Sequence, residues 1–168
     1  MLEALATASG IGQLIVKKAT VSGAEGGCQA ECGSAAAMAS AALVELCGGT
    51  PAMALSAVAL TLKSMLGLVC DPVAGLVEIP CIKRNATATA IAFACAEMAL
   101  AGVQSAIPAD EVIVAMKRVG DSMPAALKET AEGGLAATPT AQALFEQVFG
   151  RAAQSAAPGG CAACRACR

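Results

Sequence analysis

Two cysteines enclose a short segment that no continuous helix can span. Residues 70–81 read CDPVAGLVEIPC, so Cys70 and Cys81 flank a stretch that contains Pro72 and Pro80. In a helix the two sulfurs would lie about 16 Å apart, at about 1.5 Å of rise per residue, but the prolines forbid such a helix. The spacing therefore predicts a shaped loop that folds back and brings both thiols to one point.

A third cysteine lies at a predicted helix start. Cys28 follows two glycines, at a position where the backbone N–H groups of a new helix stabilise a thiolate. The sequence has nine cysteines and no histidine, so a metal would be held by thiolates and oxygens. Three thiolates suit an iron–sulfur cluster with one open iron, as catalysis requires. The alternative is that Cys28, Cys70 and Cys81 are buried apolar residues, and spacing alone does not decide between the two.

The other cysteines have different predicted roles. Cys47 and Cys95 lie within helical runs and are predicted to be small core residues. Cys32 follows Cys28 by one helical turn on the same face, so it is expected to pack beside the site. The C-terminal tail carries a C-x-x-C-x-x-C pattern that lacks the fourth cysteine and the proline of a ferredoxin run. The tail cysteines are Cys161, Cys164 and Cys167.

Helix start and stop signals place Cys28, Cys70 and Cys81 at junctions between predicted elements. Lys17 and Lys18 suit a helix C-terminus, and Thr50–Pro51 suits an N-cap followed by a first-turn proline. The predicted helices cover residues 2–18, 29–47, 51–66, 84–100, 110–120 and 139–149. No stretch alternates with period two. We therefore predict an all-α, Ala-rich domain over 1–150 with Gly/Pro-rich cluster-binding loops and no sheet, followed by a flexible Cys-rich tail over 151–168.

Composition excludes several classes of protein. Hydrophobic residues make up 57% of the 168 residues, aromatic residues 2% and charged residues 14%, with a net charge of −2. A chain with no basic stripe is not expected to bind nucleic acid. So little charge predicts that further protein covers part of the surface. The start of the sequence lacks a basic signal region, so a reducing cytoplasm is expected, where clustered cysteines favour metal or thiol chemistry over disulfides.

A mean hydropathy of +0.66 raises the question of a membrane protein. The most apolar stretches, 52–69 and 86–103, are near the lower length limit for a span. Each contains a central charge, Lys63 or Glu97, and neither has an aromatic belt. Buried core helices are the preferred interpretation.

Three longer motifs carry a resemblance to a known family. They are SGAEGGCQAECGSAAAMA (22–39), LGLVCDPVAGLVEIPCIKRNA (66–86) and ETAEGGLAATPT (129–140). From about residue 5 to about residue 145, the sequence is similar to the α chain, or α domain, of the iron–sulfur L-serine dehydratases, also called L-serine ammonia-lyases.

The resemblance implies an all-helical catalytic domain that holds a 4Fe–4S cluster through Cys28, Cys70 and Cys81, with the fourth iron left for substrate. The family converts L-serine to pyruvate and ammonia without pyridoxal phosphate, and some members accept L-threonine. Its α part works with a β part, fused or separate. Several members end in a cysteine that reaches the open iron, and the tail cysteines are candidates for that role.

One difference from the family pattern affects the expected activity. Family α chains carry a further segment before the position of Met1, with Gly-rich parts that help to build the active site. That segment and a β chain or β domain are therefore the expected partners, besides the substrate L-serine. Little activity is expected from this chain alone, and an oligomer is expected in the complete enzyme.

The substrate chemistry implied by the resemblance assigns roles to residues after Cys81. Coordination of the serine hydroxyl to an electron-poor iron would weaken the C–O bond. The substrate carboxylate needs a cation, and Arg84 is preferred over Lys83 because a guanidinium binds a carboxylate in a bidentate way. The alternative for Arg84 is a solvated charge at a helix start. Asn85 would bind substrate or satisfy the loop backbone, and no residue is assigned as the base. Further residues would orient ligands or cap helices: Ser22, Glu25, Gln29, Thr138 and Thr140.

Two other functions remain as alternatives. A truncated α-chain fragment would act as a non-catalytic module that binds a partner, with its cysteines retained from an enzyme. A thiol redox protein would use the tail cysteines. The presence of all three mapped cysteines together with Lys83, Arg84 and Asn85 favours the lyase.

Overall fold

The computed structural model describes residues 1–150, and these residues form seven α-helices and no β-strand. The helices are α1 (Leu2–Lys18), α2 (Gly23–Gly26), α3 (Cys28–Leu46), α4 (Pro51–Met65), α5 (Cys81–Leu100), α6 (Ala109–Ser122) and α7 (Pro139–Phe145). Short 3₁₀ turns lie between them, and a π-helical turn, Glu146–Gly150, follows α7. The predicted all-α fold is confirmed for this part of the chain, while the predicted tail over 151–168, with Cys161, Cys164 and Cys167, lies outside the described residues.

Capping explains where several helices begin and end. The hydroxyl of Thr50 accepts a hydrogen bond from the backbone N–H of Met53 at 3.3 Å, and Pro51 occupies the first helical position of α4. Helix α3 ends before Gly48, whose φ is +73°, and the N–H of Gly49 bonds to the carbonyl of Val44 at 2.9 Å. The start of α4 and the end of α3 both agree with the sequence signals, because each depends only on neighbouring residues in the sequence.

The core is built around α3, which contacts α1, α4 and α5. Its buried face presents small side chains, among them Ala37 and Ala41. Small side chains let neighbouring helices approach closely, and larger residues of α1, α4 and α6 fill the remaining space. The largest of these buried residues are Ile15, Leu62, Ile113 and Met116. A core of this kind holds α3 and α5 side by side, and both of these helices begin with a cysteine.

Two boundaries differ from the sequence prediction. The Gly-rich segment 22–27, predicted as a turn, contains the single helical turn α2. Helix α5 begins at Cys81 and not at residue 84, because the carbonyl of Pro80 accepts a hydrogen bond from the N–H of Arg84 at 3.0 Å. Proline lacks an N–H but has a carbonyl, so a helix can begin directly after it. Cys81 therefore lies in the first turn of a helix.

The two apolar stretches contribute to the core. Val58 of α4 and Ala92 of α5 are buried, and the ammonium of Lys63 donates to the hydroxyl of Ser105 at 2.8 Å. In residues 1–150, no helix has both the length and the apolar character needed to cross a membrane.

Candidate metal centre

The three cysteines singled out in the sequence lie at junctions between elements. Cys28 is the first residue of α3, Cys70 lies in the loop after α4, and Cys81 is the first residue of α5. All three are buried, at 1%, 2% and 4% exposure, and all three are free thiols. Since α3 packs on α5 and is bonded to the loop before Cys70, three separate segments bring thiols to one region.

The tightest cluster of metal-ligating atoms includes a carboxylate. The sulfurs of Cys28 and Cys70 and a carboxylate oxygen of Glu31 all lie within 4.8 Å of one another. Cys81 is not a member of this group. Burial is the largest cause that raises the pKa of its thiol, and the charge on Cys28 raises it further. Sequence reasoning missed Glu31. The signal was present, because a residue three positions after Cys28 shares its helix face.

Gly27 and Gln29 fix the position of Cys28 at the start of α3. The backbone of Gly27 has φ +77° and ψ 177°, a region open essentially to glycine, and a Cβ there would lie 2.8 Å from the carbonyl oxygen of Leu68. The N–H of Gln29 donates to that same carbonyl at 2.9 Å, and its side-chain oxygen accepts from the N–H of Gly67 at 3.0 Å. The start of α3 is therefore fixed to the segment that leads into Cys70.

The side-chain nitrogen of Gln29 makes two more contacts. It donates to the carbonyl oxygens of Gly26 and Met116, each at 3.0 Å, and the side chain is 1% exposed. Gln29 thus joins α2, α6 and the turn after α4. It positions the segments that carry the thiols and does not itself reach them with a ligand atom, which refines the sequence expectation that it orients ligands.

The third sequence motif holds Cys70 from the other side. The N–H of Cys70 donates to the carbonyl of Leu127 at 2.9 Å, and its carbonyl accepts from the N–H of Glu129 at 2.8 Å. Cys70 and Lys128 form an isolated parallel bridge. Residues far apart in the sequence are joined here by backbone bonds, which no local pattern predicts.

Arg84 contacts the centre through one nitrogen. Its Nη1 lies 2.7 Å from Oδ1 of Asp71, 2.8 Å from the carbonyl oxygen of Val69 and 3.8 Å from the sulfur of Cys28. Burial lowers the pKa of Arg84, but the hydrogen bonds and charges of Asp71 and Cys28 together raise it, so the guanidinium stays charged. A positive charge is thus held next to the Cys28 sulfur.

Asp71 was missed by the sequence analysis. It is 2% exposed, and its second oxygen, Oδ2, accepts a hydrogen bond from the N–H of Leu135 at 2.7 Å. Gly134, with φ +60°, leaves the room for this contact, since a Cβ there would collide with the carboxylate. Asp71 therefore connects the loop of Cys70, the first turn of α5 and the motif around Gly134.

The surroundings make the Cys28 thiol unusually acidic. Its pKa falls to about 6, mainly through a hydrogen bond from Cys32, helped by Cys70 and Arg84 and opposed by burial. The pKa of Cys32 rises, first because it donates to Cys28, and the pKa of Cys70 rises because of burial and the Cys28 charge. The lowered pKa of Cys28 favours a thiolate, as the sequence predicted, but its causes are the neighbouring thiols and Arg84 rather than the helix start.

A groove adjoins the centre on the side of Lys83 and Arg84. Its volume is about 450 Å³, and it runs between the end of α4 and the start of α5. Lys83 is exposed on its wall, whereas Asn85 lies on the other side, with its Oδ1 atom 3.4 Å from the Cys32 sulfur. The three polar residues after Cys81 thus face two directions.

The remaining sequence candidates have structural contacts. The hydroxyl of Thr138 accepts from the N–H of Ala141 and caps α7, the capping role considered from the sequence. Glu25 accepts a hydrogen bond from the hydroxyl of Thr20. Ser22 precedes α2 without a side-chain cap bond, and Thr140 is exposed in α7.

The other described cysteines differ from one another. Cys95 is 1% exposed, in agreement with the predicted core role, and Cys32 is buried beside Cys28. The core prediction for Cys47 is wrong, because Cys47 is exposed. It lies at the C-cap of α3, where the helix has already left the core.

Comparison with known proteins gives one consistent family. Residues 1–136 match the sequence model of the serine dehydratase alpha chain. The probable L-serine dehydratase alpha chain of Bacillus subtilis (strain 168) is 58% identical over 152 residues, which are 90% of this chain and 51% of the relative. The L-serine dehydratase alpha chain of Peptoniphilus asaccharolyticus is 59% identical over 138 residues, 82% of this chain and 47% of the relative.

A more distant relative, L-serine dehydratase 2 of Escherichia coli (strain K12), is 47% identical over 133 residues, 79% of this chain and 29% of the relative. The chain spans about half the length of the first two relatives. The family match, residues 1–136, contains the first two motifs and most of the third. The chain belongs to the serine dehydratase alpha chain family.

Proposed function

We propose that this chain is the cluster-binding part of an L-serine ammonia-lyase, which converts L-serine to pyruvate and ammonia. The observation that carries the proposal is the meeting of buried thiols from separate segments beside a charged guanidinium. Relatives that are 58% and 59% identical over the matched regions are named probable L-serine dehydratase alpha chain and L-serine dehydratase alpha chain. Family membership supplies the substrate class, and the site supplies residues suited to the chemistry.

The donor set fits an iron–sulfur cluster. Cys28, Cys70 and Cys81 are unpaired, buried and surrounded by backbone of the Gly- and Pro-rich motifs. Thiolates are the ligands that hold such clusters, and an acidic Cys28 thiol together with a nearby cation favours the thiolate form. We propose these three cysteines as the ligands of a 4Fe–4S cluster, with the carboxylate of Glu31 beside them.

The polar residues at the start of α5 would bind the substrate. When bound, the cluster would supply a Lewis acid for loss of the serine hydroxyl. Nη1 of Arg84 is engaged by Asp71 and Val69, so its other guanidinium nitrogens would receive the substrate carboxylate. Lys83 would add positive charge from the wall of the groove, and Asn85 would orient the substrate by hydrogen bonding.

A complete enzyme would require more protein than this chain. We propose that the preceding α segment and a β chain or β domain cover the apolar surface and close the site, in an oligomer located in the cytoplasm. Exposed apolar side chains lie directly beside the candidate centre, for example Ile79 and Ile82 at 42% and 58% exposure. A covered site would exclude water, which strengthens electrostatic effects inside it.

Anaerobic reconstitution tests this proposal. We expect a brown protein with broad visible absorption that is lost in air and with up to about four irons per chain, the content of one 4Fe–4S cluster. Pyruvate should form from L-serine when the complementary segments are added. A colourless, iron-free chain after reconstitution would contradict the cluster and favour the alternative of a non-catalytic, partner-binding module.

A further inference from the structure

Asp71 and Arg84 form an ion pair whose cation lies against a proposed ligand. The pair distance is 2.7 Å, and the same Nη1 atom lies 3.8 Å from the sulfur of Cys28. We propose that Asp71 is a positioning residue: it holds the Arg84 guanidinium against the Cys28 sulfur, so that this sulfur receives a charge-assisted N–H···S hydrogen bond. The effect on bound metal rests on the proposed function, in which Cys28 is a ligand.

Burial gives this pair a positional role that surface pairs lack. The side chains of Arg84 and Asp71 are 18% and 3% exposed, whereas those of the Lys18–Asp110 pair are 38% and 65% exposed. Exposed pairs fix side chains weakly, while breaking a buried pair leaves an uncompensated charge. The charge of Asp71 therefore holds the guanidinium of Arg84 in place, together with the carbonyl of Val69.

Asp71 and Arg84 are each fixed by a further hydrogen bond. The other oxygen of Asp71 accepts the N–H of Leu135 at 2.7 Å, and the carbonyl of Val69 takes a further hydrogen bond from Nη1 of Arg84 at 2.8 Å. Nη1 carries two N–H groups and has three acceptors, so the sulfur of Cys28 at 3.8 Å shares one N–H with Asp71 or Val69. Hydrogen bonds to ligating sulfurs raise the reduction potential of iron–sulfur clusters because they favour the more negatively charged, reduced state.

The first test uses the metal-free full chain. In NMR spectra with ¹⁵N-labelled arginine, the guanidinium N–H groups of Arg84 should exchange slowly with water and rotate slowly. Both properties should be lost in Asp71→Asn, which keeps the shape of the side chain, and kept in the matched control Asp110→Asn. Unchanged Arg84 signals in Asp71→Asn would overturn the proposal. If Asp71→Asn does not fold, Gly134→Ala, which displaces the carboxylate, provides the same comparison.

The second test measures the reduction potential of the reconstituted protein. Arg84→Gln removes the donor and the charge, so the potential should become more negative, and Arg84→Lys should give part of that shift. Asp71→Asn has two opposite effects on the reduction potential. Loss of the negative charge makes the potential more positive, and release of the Arg84 guanidinium from Cys28 makes it more negative. Asp71→Asn should therefore give a more negative shift when Arg84 is present than in the Arg84→Gln background. Equal shifts in both backgrounds would overturn the positioning role.

The two tests separate the two proposals. If wild type takes up no iron, the proposed cluster fails, and the NMR comparison still decides whether Asp71 holds Arg84. If iron binds but Arg84 is equally mobile in wild type and in Asp71→Asn, the positioning role fails while the cluster stands. The shift of the Fe–S vibrations on transfer to D₂O should be the same in wild type and Asp110→Asn and smaller in Asp71→Asn.

Discussion

At the scale of single residues, Cys28 differs from the other thiols of the centre in its acidity. Its pKa of about 6 results from hydrogen bonds from Cys32, Cys70 and Arg84. The sequence contains no tryptophan and no tyrosine, so thiolate absorption in the ultraviolet has little aromatic background. We expect the metal-free chain to show one thiolate that titrates near pH 6. Cys28→Ser should remove this transition, and Arg84→Gln should move it to higher pH.

The same lowered pKa predicts how the stability of the metal-free chain depends on pH. A thiol with a pKa of 9.0 when unfolded and about 6 when folded stabilises the fold above pH 9 and loses that contribution as the pH falls through 6. Cys70 and Cys81 have raised pKa values, so their contribution is lost as the pH rises above 9.0. In urea unfolding, the free energy of unfolding should rise between about pH 6 and pH 9.0 and fall above pH 9.0. A rise of equal size in Cys28→Ser would contradict the assignment.

Ligand identity gives a second prediction at the residue scale. Cys28→Ala, Cys70→Ala and Cys81→Ala should each abolish stable iron binding after anaerobic reconstitution. Cys47→Ala should bind as much iron as wild type, because Cys47 is exposed and lies at the opposite end of α3 from Cys28. The measurement is iron per chain, with circular dichroism to show that each variant is folded.

One comparison within that set discriminates between ligands. The tightest group in the structure contains Glu31 and not Cys81. Our proposal expects Cys81→Ala to lose iron and Glu31→Gln to retain it. If Cys81→Ala retained iron and Glu31→Gln lost it, the third ligand would be the carboxylate of Glu31 and not Cys81.

Parts of this site follow from the sequence and parts do not. Cys28 and Cys70 could be identified because glycine and proline beside them mark chain reversals, which have local causes. Asp71 could not, since its role depends on Arg84 and on the N–H of Leu135, which lies 64 positions away along the sequence. Long-range contacts of one carboxylate leave no periodic signal in the sequence.

At the scale of elements, the turn before α3 has the strictest backbone requirement. Gly27 has φ +77° and would place a Cβ 2.8 Å from the carbonyl of Leu68. Gly48 has a similar φ of +73°, but nothing lies within 4 Å of its Cβ position. Gly48→Ala should cost about 1–2 kcal/mol of unfolding free energy for the backbone alone. Gly27→Ala should cost about 1–3 kcal/mol more because of overpacking, and it should also weaken iron binding.

Urea unfolding of the two variants and iron analysis decide this prediction. Gly48→Ala serves as the control for a positive φ, and the extra loss in Gly27→Ala reports the ψ of 177° and the crowding of its Cβ by Leu68 and Met123. Equal losses of stability, with full iron binding in Gly27→Ala, would show that the turn tolerates displacement and does not aim Cys28.

Helix positions were largely predictable for a related reason. The ends of α1 and α4 depend on residues such as Lys18 and Thr50 that act within one turn. The sequence predicts the start of α5 three residues late, because Pro72 and Pro80 favour a loop that extends past Cys81. The core role of Cys47 failed because helical periodicity gives a face but not the residue at which a helix leaves the core.

At the scale of the whole molecule, the described surface retains large apolar side chains. Val77, Ile82 and Phe93 are each more than half exposed, at 54%, 58% and 54%. Only 14% of all residues are charged. We propose that other protein covers this surface, as it does contiguous apolar patches in other proteins. The relatives, about twice as long as the matched region, have the additional chain that such a role would require.

The last prediction concerns activity and follows from this surface. The chain alone should form little or no pyruvate from L-serine, even when loaded with iron, because an open groove beside Arg84 does not exclude water. Adding the preceding α segment and the β part should restore turnover in an anaerobic pyruvate assay. Cys28→Ala with the same additions should stay inactive, which excludes activity of the added parts themselves. Full turnover by the 168-residue chain alone would show that its own residues complete the site.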